Sequence, residues 1–287
     1  MSIECILLDF DGTFTRVDDE AAPFVRGFRE ELEQSVGPEL AQTWDEVAQH
    51  VLSEPDRFGW ENEGRIVAPA HADPYILATT VGQVLLERAG ISERAQRTEI
   101  LQGLYASNYP KSDIVFRSDA KRVVEAVLST GRPVYVITNS KTEHVVEKIR
   151  KLAPRGGEHL VVRGDAKKFV IADPERTPKD EWAERWAALP ESITVAGLSR
   201  PVYLRRGHYF DAIRRVLQET GVAPEQAIVC GDIWELDLAM PAAMGLRTHL
   251  VARPATPEHE RHAVRSTPFG TVSSELTGLL EQLDIIG

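Results

Sequence analysis

The sequence predicts an α/β protein: a doubly wound, Rossmann-like parallel sheet interrupted early by a block of helices. Three observations carry this. Uninterrupted apolar runs, Cys5-Ile6-Leu7-Leu8 and Pro133-Val134-Tyr135-Val136-Ile137 among them, read as strands covered on both faces, as in parallel sheets. Segments of helical periodicity alternate with these runs, which gives βαβ units that connect right-handedly. From about Thr15 to about Asp113 the strand pattern stops and helical spacing takes over, over a length that suits a small domain. The expected division is residues 1–14 with 114–287 as the α/β core and 15–113 as a helical domain.

In chain order, the first strand ends in Asp9-Phe10-Asp11-Gly12-Thr13. Within the helical block, Glu20 to Val36, Glu39 to Leu52, Tyr75 to Ala89 and Ser92 to Ala106 place apolar residues at helical spacing, with Gly37, Gly90 and Pro110 as stops. Glu54 to Pro74, rich in Gly, Pro and charge, reads as a long loop, and such loops in compact domains are often lids or binding loops. Ser118 is placed to cap a helix running to about Thr130 and closed by Gly131. The second buried strand ends at Thr138-Asn139-Ser140, and Ser140 with Glu143 has the spacing of a capping box for a helix from Lys141 to Leu152.

His159 to Val162 is a short strand. Arg163 to Leu204 then mixes patterns: a helix from Pro178 to Leu189 capped by Thr177, and two short apolar runs, Ile193 to Ala196 and Val202 to Leu204, able to pair. A helix from about His208 stops at Gly221. The strand Ala227-Ile228-Val229-Cys230 leads into Gly231-Asp232 and, within a following helix to Met244, Asp237. Strands from Thr248 to Val251 and near Phe269 to Val272, then a helix from Ser274 to Leu283, close the pattern.

At 287 residues and 43% hydrophobic composition the chain is able to bury a full core. A net charge of -11 disfavours nonspecific binding to nucleic acid or to an anionic membrane, so an anionic ligand would have to be drawn in by local cations or a metal. Cys5 and Cys230 are the only cysteines, each in an apolar strand-like run, and buried thiols are expected rather than a disulfide framework. Glu4 stands where a signal peptide would need a basic lead, and no apolar run approaches the ~20 residues of a membrane span. A cytosolic (cytoplasmic) protein is the expectation.

In a doubly wound sheet, ligands bind beyond the carboxyl ends of the strands. Asp9, Thr138 and Asp232 each end a predicted central strand, so an acid, a hydroxyl and an acid converge on one crevice. Asp9 and Asp11, two residues apart at a strand end, either project to the same side, in which case two such charges need a cation near them, or are separated by Asp11 lying already in the following loop.

The order Asp9-x-Asp11-Gly12-Thr13 after an apolar strand, strand-terminal Thr138, a basic residue, then Gly231-Asp232 with Asp237 five residues on resembles the four motifs of the haloacid dehalogenase-like (HAD) hydrolase superfamily. The likeness covers the α/β part, about two thirds of the chain. It implies that Asp9 is a nucleophile forming an aspartyl phosphate, and that Asp11 acts as general acid on the leaving oxygen and then as base on water. It implies Mg2+ held by Asp9, the main-chain carbonyl of Asp11 and Asp232, with Asp237 holding one of its waters. Thr138 would bond a phosphate oxygen, Asn139 would be a substrate contact, and the helix beginning near Lys141 would offer an anion-binding N-terminus.

The helical block takes the place of the family's α-helical cap domain, which suits a small phosphorylated substrate; Trp60, Arg65, His71 and Tyr75 are its notable polar and aromatic side chains. An acid at Asp11 favours phosphate-ester chemistry, since dehalogenase and phosphonatase members lack it. The third motif departs from the pattern of a Lys, sometimes an Arg, just before the helix leading to the last catalytic strand. Arg206, then Arg205, are the favoured candidates, with Lys167 or Lys168 as alternatives; an Arg is able to clamp phosphate bidentately. The expected function is a Mg2+-dependent phosphatase, the alternatives being a phosphomutase or a binding or regulatory module on the same scaffold.

Overall fold

A computed structural model of the chain describes residues 2–179 and 181–285. Asp180, which falls in the helix expected from Pro178, lies outside the described residues, as do Met1, Ile286 and Gly287. The chain folds as two compact units, one reaching to Arg16 and resuming at Phe116, the other running from Val17 to Val115. Along the chain the strands are β1 (Cys5–Leu8), β2 (Gly59–Asn62), β3 (Arg65–Pro69), β4 (Val134–Ile137), β5 (Val161–Arg163), β6 (Ser192–Val195), β7 (Leu198–Tyr203), β8 (Ala227–Gly231), β9 (Arg247–Val251) and β10 (Gly270–Ser273).

The α/β unit carries a six-stranded sheet in the order β10-β9-β8-β1-β4-β5, parallel throughout. β1 lies inside it, with Ile6 opposite both Val134 and Ile228. All four of its residues are buried because helices cover both faces, and its side chains alternate between the two apolar layers. Cys5 and Leu7 join the layer of Phe210 and Val216; Ile6 and Leu8 join that of Val145 and Leu279. Both cysteines are free buried thiols, and burial pushes Cys5 up to about 11. β6 and β7 pair antiparallel with Ile193 opposite Val202. Where the chain leaves and re-enters this unit, Thr15 and Phe116 form an antiparallel bridge.

The helical unit packs Val17–Val36, Trp44–Ser53, Pro74–Arg88 and Arg94–Asn108 around Phe24, Phe28, Trp44, Val51 and Leu85. Its first helix begins three residues earlier than the apolar spacing implies, with Asp18, Asp19 and Glu20 in the first turn, where acids favour a helix start. The single helix expected from Glu39 to Leu52 is two, broken after Ala41. The stretch read as a long loop holds the antiparallel β2–β3 hairpin. Its two turn residues, Glu63 and Gly64, have φ of 51° and 76°, the handedness that fits the twist of the flanking strands. Trp60 is exposed on β2, and the Tyr75 hydroxyl donates to Ser112 Oγ at 3.0 Å. Among the described residues no helix is long and apolar enough to cross a membrane.

Candidate active site

Asp9 follows β1 directly, and its N–H donates to the Cys230 carbonyl at 2.8 Å, so it is still tied to β8. Asp232 follows the end of β8 and is 2% exposed. The two loops approach so closely that a Cβ on Gly12 would lie 2.2 Å from Asp232 Oδ2, and Gly12 has φ +85°; both conditions call for glycine. Gly231 meets the same constraint, since a Cβ there would lie 2.5 Å from that of Asp237.

Asp237 is buried, not solvated as a place on an ordinary helix would suggest. It lies in one π-helical turn, Trp234–Leu238, a widened geometry common at functional sites. The turn is closed by Ala239 N–H on the Trp234 carbonyl, five residues back, and Asp237 N–H donates to the Ile233 carbonyl at 2.8 Å. It is locked by Ile233 N–H on Asp237 Oδ2 at 3.0 Å and by the Tyr209 hydroxyl on the Asp237 carbonyl at 2.9 Å.

Asp9, Asp232 and Asp237 each present a carboxylate oxygen, all within 4.8 Å of one another and all buried. Two cations sit against them. Lys168, 1% exposed, places Nζ 2.6 Å from Asp9 Oδ1 and 2.8 Å from Asp237 Oδ1, and Arg253 Nε lies 2.9 Å from Asp232 Oδ2. Burial pushes Asp9 up to about 7 against the pull of Lys168, with Asp237 and Asp11 adding to the rise. Burial raises Asp232 as well, opposed by Arg253. For Lys168, burial would lower the pKa, but Asp237 and Asp9 outweigh it and hold the ammonium charged.

Asp11 faces other partners. Its side chain accepts from Ser140 Oγ at 2.6 Å and from Lys148 Nζ at 2.9 Å, and it is not one of the clustered carboxylates. The capping box expected from Ser140 and Glu143 therefore does not form: the helix Thr142–Leu152 has no side-chain cap, and the Ser140 hydroxyl goes to Asp11. Thr138 is buried at the end of β4, with Oγ1 accepting from Ser140 N–H at 3.1 Å. Asn139, expected to touch substrate, uses Oδ1 to accept the Lys168 N–H at 2.7 Å.

The preference for Arg206 and Arg205 as the basic group beside Asp9 is corrected by the geometry. Arg206 turns inward, where it is fully buried and donates to the carbonyls of Tyr203 and Lys168. Arg205 donates to the Leu189 carbonyl and lies over the Trp186 ring. Lys168, the alternative, is the cation on Asp9, while Lys167 beside it is exposed. The sequence reading missed Ser140, Lys148 and Arg253 as partners of the acids, and Arg117, whose Nη2 donates to the Gly12 carbonyl at 3.2 Å. Only Arg253 had a usable signal: it stands two residues past β9, at a strand's carboxyl end.

The carboxylate trio fits a divalent metal. Asp232 Oδ1 is buried with no hydrogen-bond partner among the described residues, and a buried carboxylate oxygen without a donor is costly unless a cation takes its place. An all-oxygen donor set selects hard cations.

No family model matches the chain, and no curated protein matches it in sequence. Its structure is similar to several solved ones. YfnB from Bacillus subtilis, assigned as a HAD-hydrolase and solved bound to magnesium, is 11% identical with a TM-score of 0.52, the match covering 99% of this chain and 100% of that one. A haloacid dehalogenase-like family hydrolase from Xanthomonas campestris is 13% identical with a TM-score of 0.50, covering 99% and 92%. A protein predicted to be a phosphoglycolate phosphatase, from Haemophilus somnus 129PT, is 12% identical with a TM-score of 0.53, covering 98% of each chain. At these identities the likeness is one of fold.

Proposed function

For a chain with the fold of the HAD-like hydrolases, we propose a Mg2+-dependent phosphatase that cleaves a small phosphate ester through an aspartyl phosphate on Asp9. The observation that carries this reading is the setting of Asp9: strand-terminal, with one oxygen on the Lys168 ammonium and two further buried acids within 4.8 Å. The magnesium in the YfnB structure and the phosphatase assignment of the Haemophilus neighbour support it.

In the first half-reaction a carboxylate oxygen of Asp9 bonds to phosphorus as the ester P–O bond breaks, and the departing oxygen takes the proton of Asp11. In the second, water bonds to phosphorus, gives its proton to Asp11 and displaces the Asp9 carboxylate, releasing phosphate. Ser140 and Lys148 orient Asp11 for both transfers. Lys168 favours the ionised form of Asp9 against the effect of burial and stabilises charge on the phosphoryl oxygens, and the Thr138 hydroxyl donates to one of them. Mg2+, held by Asp9, Asp232 and the Asp11 carbonyl with Asp237 behind them, would supply the positive charge that lets an anionic phosphate approach a carboxylate.

The test is turnover of an aryl phosphate. Release of phenol and phosphate is expected with Mg2+, suppressed by EDTA and absent in a folded Asp9→Asn variant. A sugar phosphate should yield free phosphate without an isomerised product. Undiminished activity of Asp9→Asn would remove the covalent mechanism.

A further inference from the structure

The loop that delivers Lys168 is strained. Asp165 and Lys167 adopt φ of 53° and 45°, a left-handed conformation that costs roughly 1 kcal/mol or more for a residue with a Cβ. Such geometry persists only where the surroundings over-determine it. Here the main chain of Lys168 is gripped on both sides: Asn139 Oδ1 accepts its N–H, and Arg206 Nη1 donates to its carbonyl.

Arg206 is in turn held. Its Nε donates to the Tyr203 carbonyl at 3.1 Å, and its Nη2 lies 3.9 Å from Glu235 Oε1. Glu235, 1% exposed and two residues before Asp237, accepts from both terminal nitrogens of Arg200 on β7, at 2.9 and 2.7 Å. Burying two guanidiniums and a carboxylate costs several kcal/mol per ion before their attraction is counted, and well-packed apolar residues often do as well for stability. What apolar residues could not do is aim two N–H groups at the carbonyls of Lys168 and Tyr203.

We propose that Arg206 is a positioning residue: its guanidinium, braced by Glu235 and Arg200, clamps the Lys168 carbonyl and so sets the ammonium between Asp9 and Asp237. The catalytic consequence rests on the function proposed above; the clamp itself does not.

The test reads lysine reactivity beside turnover. Under native conditions acetic anhydride should label Lys168 weakly and the exposed Lys167 readily. In folded Arg206→Met, and in Arg206→Lys, which keeps the charge but not the fork, labelling of Lys168 is expected to rise about tenfold with Lys148 unchanged. In both, kcat should fall about tenfold or more with KM within about threefold. Arg200→Gln leaves the Arg206 contact in place and should give a smaller rise in the same direction, which keeps the test open if the Arg206 variants do not fold. Lys168 remaining protected in the folded variants overturns the clamp, as does an equal rise at Lys148, which would mean general loosening. Raised labelling in a protein whose wild type turns over no phosphate ester would count against the enzymatic reading and leave the clamp standing.

Discussion

Lys168 and Asp9 are 159 residues apart in the chain, and the ammonium of one lies 2.6 Å from the carboxylate of the other with both buried. The pair is the electrostatic centre of the site. Without Lys168, Asp9, Asp232 and Asp237 would share a space that burial alone makes hostile to charge.

Lys168→Met is expected to lower kcat for an aryl phosphate by about 10²-fold or more, since it removes preorganised charge stabilisation at the reacting group. Its melting temperature in EDTA should also fall, because a broken buried pair leaves an uncompensated charge. Steady-state kinetics and calorimetry check both.

Asp232→Asn should weaken Mg2+ binding about tenfold or more, as a buried carboxylate oxygen without a hydrogen-bond donor among the described residues becomes part of a neutral amide. Titrated Mg2+ should raise the melting temperature of the wild type in proportion to ligand saturation and leave that of Asp232→Asn nearly unmoved. Equal shifts in the two proteins would count against a metal at this position.

Gly12→Ala is expected to destabilise the protein by about 1–2 kcal/mol from backbone strain alone. It should also displace Asp232, because the new Cβ would fall 2.2 Å from its oxygen. Urea unfolding reads the first effect and loss of aryl phosphate turnover the second.

His249 is buried on β9 beside β10, its ring nitrogens 2.8 Å from Thr271 Oγ1 and 2.9 Å from Ser273 Oγ, and burial lowers its pKa from 6.5 to about 4. The unfolded chain therefore binds the proton more tightly than the folded one. Stability from this group is fully present above pH 6.5, declines as pH falls toward 4, and levels off below, a total on the order of 3 kcal/mol. Urea unfolding of wild type and His249→Gln across this window should show the difference between them shrinking as pH falls. A constant difference would mean that His249 is not held neutral.

Much of the architecture was legible because the parallel sheet writes itself into sequence as continuous apolar strands, and β1, β4 and β8 stand out for that reason. The β2–β3 hairpin was not: β2 buries none of its four residues, so no alternation marks it, and its Glu63-Gly64 turn lies in a charged stretch that reads as loop. Ser140 had the spacing of a cap, and no local rule weighs a helix end against an acid 129 residues away.

Taken alone, the sequence determined that Asp9, Thr138 and Asp232 end buried strands, since apolar continuity and strand polarity are properties of local stretches. Tertiary structure alone decided which cation meets Asp9. Order along the chain favoured Arg206 and Arg205 and left Lys167 and Lys168 as alternatives. The left-handed turns at Asp165 and Lys167 and the inward turn of Arg206 brought Lys168 forward. That choice depends on contacts between segments far apart in the chain, which neither periodicity nor spacing encodes.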